Sequence, residues 1–458
     1  MTKRLHAEWA LLPSGWARDV AVAIGDDGVI ESVAPASPRE GAEAAGGPLV
    51  PAMPNLHSHA FQRAVAGRTG HAGTSGEDSF WSWRQAMYAF LERLDPDAFE
   101  AIAAQTYVEM AKAGYGAVAE FHYVHHDPAG KPYDDPAELA WRIVAAAATA
   151  GVALTLLPVF YAHGGFGGLP TTAGQRRFVH STYTFAHLYD RLRDAAAPRG
   201  YVLGVAPHSL RAVTADELTQ VVRLAEPTAP VHIHTAEQTR EVDDCYAWSR
   251  MRPVEWLVTQ AGVDARWCLV HATHMTEREI AALAASGAVA GLAPTTEADL
   301  GDGTFPAVHY TSIDGRWGVG SDSNTIVDPF AELRQFEYSQ RLVWRRRNLL
   351  HHGSNDGIGT SLWLAACAGG ARACGFVTGA IEAEARADLV VLDAEEPGLA
   401  GHGAATLLDA AIFGPCRTPV KHTMVGGRWR VRDGRHPDEE AILARFRSAV
   451  AASTLRAP

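Results

Sequence analysis

Short apolar segments alternate along the chain with longer segments in which apolar residues recur at helical spacing. Residues 97–113 and 276–285 are examples of the second kind, with few helix breakers. Strands that alternate with helices are typical of parallel sheets, and eight such units predict a closed (β/α)8 barrel of the TIM-like type. The eight predicted strands lie at residues 48–57, 117–124, 152–160, 202–208, 231–236, 267–273, 288–294 and 317–321.

Both ends of the chain carry strand patterns of another kind. Residues 18–34 predict two strands around an Asp-Asp-Gly turn, and residues 387–393 and 423–431 are again strand-like, the second with a Gly-Gly turn. We therefore predict a small β-sandwich domain built from residues 1–48 and 381–458. The barrel, residues 49–380, is inserted between these two parts.

Composition and charge narrow the classes of partner. Of the 458 residues, 47% are apolar and 20% are charged, which is typical of soluble globular proteins and argues against disorder. The formal net charge of −12 disfavours nucleic acid and anionic membrane surfaces as partners. Any anionic substrate would need local arginine side chains to hold it.

Features that report on location favour a reducing cytoplasm. The five cysteines are widely spaced without a C-x-x-C pair, which indicates neither a disulfide framework nor a thiolate zinc site. The residues after Met1 lack an apolar region, so no signal peptide is expected. The uncharged run at residues 143–160 contains Gly151 and Pro158, and we interpret it as a helix end followed by a buried strand.

Candidate catalytic and metal-binding residues lie where predicted strands end. His57 and His59 follow the first strand, and residues i and i+2 of a strand point to the same face, so two imidazoles aim at one place. An isolated pair of this kind also fits a solvated loop entrance. Four further strands, however, deliver polar side chains to the same rim: His208 and Arg211, His232 with His234 and Glu237, His271 with His274, and Asp322.

Each of these residues alone has another interpretation. His271 could be a core histidine, Asp322 a helix N-cap, and Glu237 part of a solvated helix start. Together, imidazoles from three strands and a carboxylate from the eighth meet the needs of a catalytic zinc-type site with an open position for water.

Two sets of motifs carry a resemblance to known families. Asn55-Leu-His-Ser-His59, His234-Thr-Ala-Glu237, His271 and Ser321-Asp-Ser323 resemble the aminohydrolase branch of the amidohydrolase superfamily, over essentially the whole chain. Within that branch the chain is similar to the formimidoylglutamate deiminases. That likeness is carried by residues 79–88, 120–125, 206–213, 232–238 and 293–302.

The resemblance implies a metal centre and a reaction. His57, His59, His234 and Asp322 would bind one zinc ion per chain, although iron accepts the same ligands, and His232 would be a supporting or packing residue. The zinc ion would lower the pKa of a water whose proton Asp322 takes. His271 would polarise the reacting centre, and Glu237 would pass the proton to the leaving nitrogen.

The implied substrate is N-formimino-L-glutamate, which would be converted to N-formyl-L-glutamate and ammonia in histidine degradation. Its two carboxylates suit guanidinium groups, which bind a carboxylate through two parallel hydrogen bonds. The resemblance assigns substrate contacts to Gln62, Arg84, Tyr123, His208 and Arg211.

Two other functions stay open at this point. An aminohydrolase acting on a nucleobase or triazine ring would share the metal residues and differ in the pocket, whereas a non-catalytic barrel would serve as a binding module. The expected partner is a dianionic small molecule, without nucleic acid or membrane, and a homodimer is the expected assembly. Residues 164–180, rich in Gly and Thr, fit either a mobile rim loop or part of a subunit contact.

Overall fold

The computed structural model describes residues 2–69, 79–351 and 357–453. The N-terminal part contributes strands to an outer sheet, in which β2 and β3 pair antiparallel with Ala21 opposite Ala34. This pair confirms the two strands predicted around the Asp-Asp-Gly turn. The strands are β1 (Lys3–Leu12), β2 (Gly15–Ile24), β3 (Ile30–Ala34), β4 (Glu43–Ala44) and β5 (Leu49–Pro51).

Eight positions around a parallel barrel follow, and each coincides with a predicted strand. The fourth position consists of two short strands, β9 and β10, and both pair with β8. The strand predicted at residues 48–57 is two strands, because its first half pairs with the outer sheet. The barrel strands are β6 (Met53–Ser58), β7 (Tyr115–His122), β8 (Ala153–Phe160), β9 (Val202–Leu203), β10 (Ala206–Pro207), β11 (Val231–Thr235), β12 (Trp267–His271), β13 (Val289–Leu292) and β14 (Arg316–Val319).

The barrel closes at two seams between its two four-position arcs. Ser58 pairs with Asp322 at one seam, and Val205 with Val231 and Ser209 with His234 at the other. The first seam requires glycine at position 320, since a Cβ there would lie 2.6 Å from the carbonyl oxygen of His57. The seams join the carboxyl ends of the first and eighth and of the fourth and fifth positions.

Helices connect the barrel strands and confirm the predicted alternation. The helix predicted at 97–113 begins after the N-cap Asp95 with Pro96 in its first turn, and it ends at a left-handed Gly114. The helices are α1 (Phe80–Leu91), α2 (Pro96–Ala113), α3 (Glu138–Ala150), α4 (Thr182–Arg199), α5 (Ala215–Val222), α6 (Thr239–Ser249), α7 (Pro253–Gln260), α8 (Glu277–Ser286), α9 (Pro294–Leu300), α10 (Ala307–Ser312), α11 (Pro329–Trp344), α12 (Ile358–Cys374), α13 (Ala404–Phe413) and α14 (Glu439–Ser453).

The uncharged run at residues 143–160 folds as expected. It contains the end of α3, a left-handed Gly151 and the buried strand β8. None of the helices in the described part of the chain combines the length and the apolar character needed to cross a membrane.

The C-terminal part completes the outer sheet with β15 (Leu389–Leu392), β16 (Val420–Val425) and β17 (Arg428–Val431). The sheet runs β17-β16-β15-β5-β1-β2-β3, with β4 on β1, so both chain ends share it. Alternate side chains of β15 divide between two cores: Leu389 and Val391 face the small core, and Val390 and Leu392 face the barrel core. The predicted barrel with a small β domain from both termini is therefore present.

Candidate active site

Three buried imidazoles and a carboxylate meet at the carboxyl end of the barrel. Nε2 of His57 lies 3.0 Å from Nε2 of His234. The Oδ1 atom of Asp322 lies 3.5 Å from Nε2 of His57 and 3.3 Å from Nε2 of His59. One ring nitrogen from each of the three histidines lies within 4.8 Å of the others, the spacing of a group that can share one metal ion.

The seams of the barrel explain this convergence. The amide N–H of Asp322 donates to the carbonyl of His57, and that of His59 donates to the carbonyl of Asp322, both at 2.9 Å. At the other seam, the amide of His234 donates to the carbonyl of His208 at 3.0 Å. Asp322 has a left-handed backbone with φ of 43°, so the chain turns as β14 ends.

The protonation states of the histidines fit a metal ion. Nδ1 of His59 donates to the carbonyl of Phe121 at 3.0 Å, which leaves its Nε2 lone pair free for a ligand. Burial lowers the pKa of His57, His59 and His234, that of His59 to about 3. Neutral imidazole is the form that binds a metal, and three imidazoles with one carboxylate are ligands that zinc accepts.

A network of amide side chains holds the first and eighth barrel strands together below the histidines. The side chain of Asn55 donates to Oγ of Ser321 at 2.6 Å, and Ser321 donates in turn to Oδ1 of Asn324 at 2.6 Å. Nδ2 of Asn324 donates to the carbonyl of His59 at 3.0 Å. The sequence motifs predicted no role for Asn55, Ser321 or Asn324.

His271 and Glu237 flank the free side of the histidine cluster. Nε2 of His271 lies 3.8 Å from Oδ2 of Asp322 and 3.7 Å from Oε1 of Glu237. Burial alone would lower the pKa of His271, but the carboxylates of Glu237, Glu297 and Asp322 outweigh it and raise this pKa to about 10. Burial raises the pKa of Glu237, which makes its protonated form more favourable than that of an exposed glutamate.

Glu297 is a site residue that sequence reasoning missed. Its Oε1 accepts a hydrogen bond from Nδ1 of His271 at 3.2 Å and another from the amide of Ala293 at 3.0 Å. Glu297 therefore orients the imidazole so that Nε2 faces Asp322 and Glu237. Glu297 follows the seventh barrel strand as Glu237 follows the fifth. This position was the signal in the sequence that could have identified it as a site residue.

His232 lies on the same strand as His234 but outside the cluster. Its Nε2 donates to the carbonyl of Ala373 in α12 at 2.8 Å. This contact fits the packing role expected for it.

A pocket opens from the cluster toward solvent, with an empty volume of about 680 Å³ including its mouth. The pocket has aromatic walls that were not predicted from the sequence, and these include Trp83, Tyr88, Tyr161 and Phe178. The pocket is also lined by all the residues expected to contact substrate or act in catalysis, namely Gln62, Arg84, Tyr123, His208, Arg211, Glu237, His271 and Asp322.

The polar groups of the pocket have unused hydrogen-bonding capacity. Nε and Nη1 of Arg211 and Oε1 of Gln62 are buried without a hydrogen-bond partner among the described residues. The side-chain amide of Gln62 donates to the hydroxyl of Tyr123 at 2.8 Å. Burial, aided by the charge of Arg211, lowers the pKa of His208, so this imidazole is neutral. Buried donors without partners are costly, and a bound anion would satisfy those of Arg211.

The segment 164–180 forms part of the pocket rim through Gly164. Arg177 anchors it, since this buried guanidinium donates to the carbonyls of Leu91 and Leu94 at the end of α1 and to that of His126. The segment therefore packs against the helix that carries Arg84.

Comparison with known proteins agrees with this architecture. A model of the amidohydrolase family matches residues 49–430. The chain belongs to the amidohydrolase family. A second model, described as the N-terminal domain of the formimidoylglutamate deiminase HutF, matches residues 2–47 of this amidohydrolase. The family expected from the histidine and aspartate motifs is thus confirmed.

Individual relatives of this amidohydrolase cover nearly its whole length. It is 52% identical over 442 residues to the formimidoylglutamate deiminase of Pseudomonas aeruginosa, covering 96% of this chain and 97% of that protein. It is 27% identical over 394 residues to a 5-methylthioadenosine/S-adenosylhomocysteine deaminase of Natronomonas pharaonis, covering 84% and 81%. The crystal structure of an amidohydrolase from Brucella melitensis superposes with a TM-score of 0.92 at 47% identity, covering 98% and 99%.

We expect about one divalent metal ion per chain, and its retention should depend on His59. A His59→Ala variant removes an imidazole whose orientation is fixed by Phe121, so metal content should fall well below one per chain and ammonia release should be lost with it. Elemental analysis of the purified protein measures the first quantity. The matched control is His187→Ala, which removes an exposed histidine on α4. Full metal content and activity in His59→Ala would contradict this ligand assignment.

Proposed function

We propose that this amidohydrolase hydrolyses N-formimino-L-glutamate to N-formyl-L-glutamate and ammonia, a step of histidine degradation. The observation that carries the proposal is a pair of arginines, Arg84 and Arg211, on the walls of the pocket that holds the histidine cluster. The identity of 52% to a formimidoylglutamate deiminase over nearly the whole chain supports it.

The two arginines suit a substrate with two carboxylates. Arg84 makes no ion pair with a described residue, and its guanidinium carbon lies 4.5 Å from the ring centroid of Trp81. Arg211 lies 3.8 Å from Glu237 and 3.9 Å from Glu241, and its two remaining donor atoms have no partner. Guanidinium donors left open beside a reaction centre favour a small dianion over a neutral ring.

The groups at the cluster are those that the hydrolysis needs. A zinc ion held by His57, His59, His234 and Asp322 would supply Lewis acidity and a water of lowered pKa. Asp322 accepts a proton from the attacking water, and His271, aligned by Glu297, donates a hydrogen bond to the developing tetrahedral centre. Glu237 gives a proton to the imino nitrogen as the tetrahedral centre forms. The proton held by Asp322 then passes to the resulting amino group, the C–N bond breaks and ammonia leaves, while the hydroxyl of the centre returns its proton to Glu237 as the formyl C=O forms.

The chief rival is a deaminase acting on a purine, pyrimidine or triazine ring. Such an enzyme would use the same metal ligands, and the aromatic walls of this pocket could stack on a base. The nucleoside deaminase relative is only 27% identical, however, and a neutral ring would leave the buried donors of Arg211 without partners. The five cysteines are free, which supports a cytoplasmic location. The homodimer stays a prediction.

Ammonia release from a small panel of compounds tests the proposal. We expect the metal-replete enzyme to act fastest on N-formimino-L-glutamate and much more slowly on formiminoaspartate, which is one methylene shorter. Formiminoglycine, which lacks the distal carboxylate, should be poorer still. Equal rates for formiminoglycine and formiminoglutamate would contradict the dianion clamp. Ammonia from nucleobases alone would replace the proposal with the rival.

A further inference from the structure

A second cavity adjoins the catalytic pocket on its solvent side. The two cavities share Arg84, Gly164 and Arg211, so the two arginines stand between them. We call the second cavity the outer chamber; its other walls include Trp81, Phe166, Leu169, Arg240 and Trp248. These wall residues are exposed or half-buried, so the chamber lies between bulk solvent and the catalytic pocket.

Two guanidinium groups from different helices stack on one indole in this chamber. The guanidinium carbon of Arg84 in α1 lies 4.5 Å from the ring centroid of Trp81, and that of Arg240 in α6 lies 4.8 Å from it. A guanidinium that lies over a ring has five N–H donors, more than that contact can use, so donors remain for a carboxylate. Trp81 therefore holds both cations at the chamber with their donors available.

Arg240 has the features of a docking residue rather than of a structural one. Its side chain is 67% exposed, and its recorded ion pair is a 3.7 Å contact with Asp244 one turn further along α6. Pairs of this kind are weak and are screened by salt. The guanidinium of Arg240 lies over an indole of another helix, which places it at the wall of the chamber.

We propose that the outer chamber is a docking site for a carboxylate, in which the dianionic substrate first binds Arg240 and Arg84 and then moves inward until Arg84 and Arg211 hold its two carboxylates beside the histidine cluster. The inference rests on the proposed function, because it takes the dianion as the substrate. A chain with a net charge of −12 repels a dianion at long range, and a line of three arginines provides a local attractive path.

The test is steady-state kinetics of the metal-replete enzyme with N-formimino-L-glutamate at several ionic strengths. Arg240→Gln should lower kcat/KM about fivefold at low salt, as for loss of one exposed charge contact, with kcat changed less than twofold. Arg240→Glu should lower kcat/KM further, to about a tenth of wild type or less. The fall of kcat/KM with added salt should be shallower in Arg240→Gln than in wild type.

Two further variants separate docking from general charge effects. Arg193→Gln is the matched control, since Arg193 is an exposed helix arginine in an intrahelical pair with Asp190 and lies outside both cavities. It should leave kcat/KM and its salt dependence as in wild type. Trp81→Leu keeps every charge but removes the stacking surface, and it should lower kcat/KM about twofold to fivefold.

Three results would contradict either the docking site or the proposed function. Unchanged kcat/KM in both Arg240 variants, with normal wild-type turnover, would overturn the docking site and leave the proposed function intact. A parallel fall of kcat and metal content would also overturn it, since Arg240 would then act through the structure of the catalytic pocket. Failure of wild type to release ammonia from formiminoglutamate would instead refute the proposed function.

Discussion

Replacing Glu237 by Gln is expected to lower kcat by about 10²–10⁴-fold while the enzyme keeps its metal. Glu237 is buried, lies 3.7 Å from Nε2 of His271, and has a pKa raised by burial. An amide of the same shape can still accept and donate hydrogen bonds, but it cannot carry a proton from water to the leaving nitrogen. The measurement is single-turnover ammonia release alongside elemental analysis.

The control for this variant separates chemistry from folding. Glu277→Gln makes the same change at an exposed position at the start of α8, and kcat should stay as in wild type. The KM of Glu237→Gln should change little, since the proposed carboxylate clamp of Arg84 and Arg211 is unchanged in this variant. A kcat within a few-fold of wild type would remove Glu237 from proton transfer.

Replacing Arg211 or Arg84 by Met is expected to reduce kcat/KM without loss of metal. Truncating one partner of a desolvated charge pair costs about 2–5 kcal/mol, or roughly 30- to 4000-fold. The side chain of Arg211 is only 13% exposed and its free donors are buried, so its loss should lie toward the upper end. No donor atom of Arg84 is both buried and unpartnered among the described residues, so its loss should lie toward the lower end.

Two companion variants make the arginine result specific. Arg211→Lys keeps the charge but loses the planar pair of donors, so it should recover only part of the activity lost in Arg211→Met. Arg278→Met removes an exposed arginine of α8 and should leave kcat/KM unchanged. Equal activity of Arg211→Met and wild type on formiminoglutamate would contradict the carboxylate clamp.

Local sequence patterns were sufficient to predict much of the fold and of the candidate site. Strand alternation placed His57 and His59 on one face, and that spacing does not depend on distant parts of the chain. The polar residues that follow strands converge for the same reason, because the carboxyl ends of parallel barrel strands share one rim. The barrel, the paired chain ends and the family were therefore accessible from the sequence.

Contacts between distant segments were not accessible in this way. The hydrogen bond between Glu297 and His271 joins residues 26 positions apart, and the one between Asn324 and His59 joins residues 265 positions apart. Helix and strand periodicity does not act over such separations. Leu49–Pro51 continues the apolar run of β6 yet pairs with β1 and β15, because strand pairing is chosen by available backbone partners and not by composition.

The sequence by itself determined which residue types stand at the ends of the barrel strands, since side-chain direction follows from strand periodicity. Only the tertiary structure decided how they meet. Closure at Ser58–Asp322 brings Oδ1 of Asp322 within 3.5 Å of the imidazoles of His57 and His59, and Arg84 and Arg240 lie over Trp81 at the outer chamber. Those contacts depend on how α1, α6 and the barrel seams pack in three dimensions, which local spacing does not encode.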